Sequence, residues 1–99
     1  MDIAKTNDKN KTTFTLSGRL DTTTAPQLQE VLIPEFDTSE DITLDFSGLA
    51  YVSSAGLRVL LMGEKTAKAK EGKLTLVNVS DEIKEVFEMT GFTDILNIV

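Results

Sequence analysis

The chain has 99 residues, 40% of them apolar, which suffices for one compact domain and is too little for two. It has no cysteine and no histidine, which excludes disulfides, thiolate chemistry, the commonest general base and the commonest metal ligand. Ten basic against sixteen acidic residues leave a net charge of −6, a balance that repels nucleic acid and an anionic membrane surface alike.

Ile3–Thr6 reads as a short strand and Asn7-Asp8-Lys9-Asn10 as a turn. Phe14 and Leu16 alternate with threonines in a second strand, so the pair forms a hairpin at a sheet edge, with Gly18 allowing a bend before Arg19-Leu20-Asp21. Thr24 is an expected N-cap and Gln27 its capping-box partner. Leu28, Val31 and Leu32 give the following helix one apolar stripe, which Pro34 is expected to close. Ile42, Leu44 and Phe46 alternate as a third strand, and Ser47-Gly48 reads as a turn before Leu49.

Ser53-Ser54-Ala55-Gly56 opens a second helix that runs to about Lys70, where Gly72 is expected to stop it. Its first half is apolar nearly all round, so Leu57, Leu60 and Leu61 are expected in the core. Leu74, Leu76, Val77 and Val79 supply a fourth strand. Ser80 caps a third helix with the stripe Ile83, Val86, Phe87 and Thr90, and Gly91 suits the left-handed position past its end, with Phe92 packing back. Asp94–Val99 reads as an apolar strand or a short helix. The order β-β-α-β-α-β-α plus this short C-terminal element predicts an α/β fold, a mixed four- to five-stranded sheet with packed helices.

No apolar stretch approaches the roughly 20 residues that span a bilayer. The opening Met1-Asp2-Ile3-Ala4-Lys5 lacks the basic and apolar regions of a signal peptide, so the cytoplasm is the expected location. No P-loop and no paired catalytic arrangement stands out, so the chain reads as a binding protein and not an enzyme, with no cofactor and no metal site. Asp45 near the end of a strand is one carboxylate, too few for a cation.

The stretch Leu49-Ala50-Tyr51-Val52-Ser53-Ser54-Ala55-Gly56-Leu57-Arg58-Val59-Leu60-Leu61 resembles the signature of the STAS family, named for sulfate transporters and anti-sigma factor antagonists. Gly18-Arg19-Leu20-Asp21 followed by Thr24-Ala25 is similar to the family's earlier motif, and Val86 to Phe92 to its late helix and turn. These segments follow one another in the family's order from Gly18 to Phe92, so residues 1–99 are read as a single STAS domain.

That resemblance implies a partner switch. An unphosphorylated antagonist binds an anti-sigma factor, commonly also a serine kinase, and frees the sigma factor; phosphorylation ends the complex and a PP2C-type phosphatase restores it. The family's acceptor lies two residues before the signature glycine, which here is Ser54. The preceding residue, frequently Asp in sporulation and stress antagonists, is Ser53, a candidate second acceptor. Asp21 matches an acidic residue beside the acceptor loop, so the expected partner-binding set is Asp21, Ser53, Ser54, Ala55, Gly56 and Arg58.

Physical chemistry fits this placement. The first N–H groups of a helix lack intrahelical partners and favour negative charge, so a phosphate on Ser54 leaves the helix standing. Arg58 lies one turn on, on the same face, able to meet that phosphate or a partner's carboxylate. A simpler reading makes Ser54 an ordinary N-cap. The same scaffold without phosphorylation, regulating a transporter, secretion or signalling complex, is the alternative function. Nothing in the sequence demands a dimer, so a monomer is expected.

Overall fold

Alternating apolar residues place five strands in one sheet, whose spatial order repeats their order in the chain. The computed structural model describes Met1–Val99. Its elements are β1 (Asp2–Asp8), β2 (Lys11–Leu20), α1 (Ala25–Glu35), β3 (Asp41–Val52), α2 (Ser54–Ala69), β4 (Lys73–Val77), α3 (Asp81–Thr90), one 3-10 turn (Phe92–Asp94) and β5 (Asn97–Ile98). Only β1 and β2 pair antiparallel; β2–β3, β3–β4 and β4–β5 are parallel, each pair joined by a helix. The expected class and order are therefore observed. The C-terminal element contains both readings, a single helical turn followed by a two-residue fifth strand.

One sheet face carries Phe14, Leu16, Ile42, Leu44, Phe46, Leu74 and Leu76, all buried, and meets Leu28, Leu32, Leu57, Leu60, Ile83 and Phe87 from the helices. Alternate residues point the other way. There Thr6, Thr13, Thr43 and Thr75 stand in register across four strands, β-branched and polar as an uncovered sheet face requires.

Several local expectations are corrected. Pro34 does not close α1, which runs to Glu35, because its missing N–H falls in the last turn and its carbonyl still accepts from Asp37. Thr24 and Gln27 form no capping box: Thr24 donates to the Arg19 carbonyl (2.7 Å) and Gln27 to that of Met1 (3.0 Å). The helix entry is tied instead by Asp21 Oδ1, which accepts from the Thr23 and Thr24 N–H groups. Val31 is 37% exposed and Leu61 half-buried, so neither belongs to the core. At the end of α2 the left-handed residue is Glu71 (φ 58°), whereas Gly72 lies against the Glu40 carbonyl.

Ser47-Gly48 does not interrupt β3. Two register shifts, between Thr15 and Ser17 and between Gly18 and Arg19, each place an extra residue on β3, and pairing resumes after both. Asp45 supports the first by accepting from Ser47 N–H (2.9 Å). That hydrogen bond, and one from Asn78, outweigh burial and hold the Asp45 carboxyl below its ordinary value.

A buried polar cluster fastens α1 to the β1–β2 hairpin. Glu35 accepts from Lys5 Nζ (2.9 Å) and Thr12 Oγ1 (2.7 Å), and Ser39 Oγ lies 2.6 Å from Thr12 Oγ1. Burial opposes ionisation of Glu35, but the hydrogen bonds from Lys5 and Thr12, the Lys5 charge and the Ser39 hydroxyl outweigh it and lower its pKa. A carboxyl so depressed contributes stability above its unfolded value, near 4.5, that is lost as pH falls through the lower folded value. Glu35→Gln is expected to cost about 1–2 kcal/mol at pH 7 and to flatten the loss of thermal stability below about pH 4.5. Melting curves from pH 7 to pH 3 test this; parallel pH profiles for both proteins would contradict it.

Candidate functional site

The parallel strands β2 and β3 end together at Leu20 and Val52, and the chain turns directly from β3 into α2. Ser53 N–H donates to the Leu20 carbonyl (2.9 Å), so the turn stays stitched to β2. Ser53 is extended (φ −93°, ψ 175°), its carbonyl takes the first helical bond from Leu57, and its Oγ accepts from Gly56 N–H at 3.4 Å. Ser53 is therefore the N-cap. Ser54 is the first helical residue, exposed and relieved of the capping role that the simpler sequence reading gave it.

The remaining candidates spread around this serine. Ala55 is half-buried against the core, and Gly56 is buried, its position so close to Leu20 that an added Cβ would stand 2.7 Å from Leu20 Cγ. Arg58 is exposed one turn along α2. Asp21 shares this end of the sheet, half-buried, but its hydrogen bonds go to its own loop and none reaches Ser53 or Ser54. The hydroxyl of Thr23 is the largest of several donors that, against some burial, lower the Asp21 pKa.

Ser53→Ala is expected to destabilise the fold by about 0.5–1 kcal/mol through loss of the cap, and Ser54→Ala by less than about 0.5 kcal/mol. Urea unfolding distinguishes the two; equal midpoints would show that the capping assignment is mistaken.

Two features of this end escape the sequence reading. A groove of about 230 Å³ runs between α1 and α2, lined by Thr22, Ala25, Pro26 and Gln29 on one side and Ala55, Arg58, Val59 and Met62 on the other. Arg19 lies 4.3 Å from the ring centre of Tyr51, which is 41% exposed, and 3.7 Å from Asp21 Oδ2. The apolar first half of α2 is the sequence signal for this wall, and Arg19 belongs to the Gly18–Asp21 motif; the pairing of helices remote in sequence leaves no signal. A larger groove, about 400 Å³, lies between β1 and α1, but its polar wall is the Lys5–Glu35 pair, already committed to holding the hairpin.

No helix is long and apolar enough to cross a membrane. Comparison with known proteins places this architecture. BtrV of Bordetella bronchiseptica is 37% identical over 84 residues, covering 84% of this chain and 72% of that protein. The anti-sigma-B factor antagonist of Bacillus subtilis is 31% identical over 91 residues, covering 92% and 84%. The Bacillus cell fate determinant SpoIIAA in its phosphorylated form has the same fold, with a TM-score of 0.79 at 19% identity over 99% of this chain and 91% of that one. The STAS domain family matches residues 2–99, and the chain belongs to that family.

Proposed function

We propose that the chain is an anti-sigma factor antagonist that binds its anti-sigma factor through the Ser54 end of α2 and is released by phosphorylation of Ser54. The observation that carries this reading is the exposed Ser54 hydroxyl at the first position of α2, free because Ser53 does the capping, in a chain whose relatives include an anti-sigma-B factor antagonist. The partner doubles as the serine kinase: the Ser54 hydroxyl attacks the γ-phosphorus of ATP, ADP leaves, and the hydroxyl proton is released. A PP2C-type phosphatase reverses the modification by hydrolysis.

Between the adjacent serines, exposure favours Ser54. Ser53 is half-buried and its Oγ accepts from Gly56 N–H, so a kinase would have to uncap the helix to reach it, at a cost of about 1 kcal/mol. Ser54 requires no such change. The test is labelling with ATP in lysate of the source cell, followed by mass spectrometry of the recovered chain. One phosphate on Ser54, absent from Ser54→Ala and retained in Ser53→Ala, is the expected result. A label on Ser53 alone would move the acceptor to the capping residue and overturn the Ser54 assignment; no label at all would leave the unphosphorylated scaffold as the better reading.

A further inference from the structure

We infer that a phosphate on Ser54 is held within the same chain by the guanidinium of Arg58, and that this pair closes the mouth of the α1–α2 groove. The inference rests on Ser54 being the acceptor and adds what the modified residue does next.

The geometry of α2 supplies the first argument. Residues four apart lie about 40° apart around a helix, with Cβ atoms about 5–6 Å apart. Arg58 is itself a groove-lining residue, together with Ala55, Val59 and Met62, whereas Ser54 stands just outside. Arg58 therefore lies between the hydroxyl and the cavity.

The second argument is availability. The four ion pairs of the fold are Lys5–Glu35, Arg19–Asp21, Lys68–Glu64 and Lys70–Asp37, and Arg58 enters none of them. The positions three and four residues away on α2 are Ser54, Ala55, Leu61 and Met62, so no carboxylate competes along the helix. Arg19, by contrast, is engaged by Asp21 and Tyr51. An anion four residues before a cation is the favourable helical orientation, and a planar guanidinium matches phosphate oxygens in pairs.

The third argument concerns consequence. Arg58 is the one charged residue lining this groove. Pairing it with phosphate withdraws the cation from any incoming carboxylate and places the pair across the opening.

The test uses full-length protein with phosphoserine installed at position 54 during synthesis, so no kinase is needed. The second phosphate ionisation, near about pH 6 in isolation, is followed by ³¹P NMR. Its midpoint is expected at lower pH in the wild type than in Arg58→Gln, the proton affinity differing roughly twofold. Arg58→Lys is expected to fall between them. The contrast should vanish in about 1 M salt, where charges are screened beyond about 3 Å. The Met62 methyl signal should shift on phosphorylation only when Arg58 is present. Superimposable titrations for wild type and Arg58→Gln would overturn the inference while leaving kinase labelling of Ser54 untouched. A chain that no kinase modifies would still give the titration contrast.

Discussion

Gly56→Val is expected to destabilise the protein by about 3 kcal/mol or more and to remove the Ser54 site along with the packing beneath it. A Cβ at this position would stand 2.7 Å from Leu20 Cγ, 3.0 Å from Leu20 Cδ2 and 3.1 Å from the Leu20 carbonyl oxygen. Leu20 is fully buried, and its carbonyl accepts from Ser53 N–H at 2.9 Å, so neither the side chain nor the backbone can retreat freely. Overpacking of this kind costs about 1–3 kcal/mol, and losing the Ser53 bond adds about 1. Gly56→Ala meets the same atoms with one carbon and recovers up to about 1 kcal/mol of helix propensity, so about 1–2 kcal/mol is expected there. Urea midpoints at unchanged m-value measure both. A valine variant as stable as wild type would mean that α2 does not rest on β2 as described.

Gly56 also marks what a sequence can and cannot reveal. The Ser53-Ser54-Ala55-Gly56 pattern locates the strand-to-helix turn and puts Gly56 in the partner-binding set, but it gives no sign of what lies against that glycine. The contact that forbids a side chain is internal, with a leucine 36 positions earlier that only the parallel β2–β3 pairing brings near. Adjacent serines posed a similar problem. Both are good caps by type, and only the extended backbone of Ser53 assigns one to the helix end and frees the other.

Periodicity succeeded wherever one element faced one neighbour. Phe14, Leu16, Ile42, Leu44, Leu74 and Leu76 alternate because their strands are covered on a single face, and Ser80 and Gly91 bound α3 by local rules alone, Gly91 at φ 81°. It failed where two distant segments share a contact. Val31 fits the α1 stripe yet stays 37% exposed because it lines the open β1–α1 groove, and Thr24 found the Arg19 carbonyl instead of its own helix. The bulges that keep β3 continuous through Ser47-Gly48 exist only in relation to β2, so no reading of β3 by itself would find them.

The largest expected effect on function comes from phosphorylation of Ser54, which should weaken binding to the anti-sigma factor about a thousandfold, roughly 4 kcal/mol. A phosphate brings about −1.5 to −2 charges, more than the single Arg58 guanidinium offsets, and closing a fitted interface over the remaining charge without a cation from the anti-sigma factor costs at least this much. The fold itself should barely respond. At the first turn of α2 a negative charge gains about 0.3–1 kcal/mol from the helix end, so the melting temperature is expected to hold or rise by a few degrees. Ser54→Asp carries about half the charge on a shorter side chain and should lose less affinity than the phosphate, about 30- to 100-fold by the same electrostatic argument. Ser54→Ala, which removes only an exposed hydroxyl, should bind within a few-fold of wild type and resist inactivation by the kinase. Titration calorimetry with the anti-sigma factor, together with melting curves of each variant, separates these outcomes. Loss of binding accompanied by loss of folding would assign the effect to the core under α2. Unchanged binding by a folded phosphoprotein would move the docking surface away from this helix end altogether.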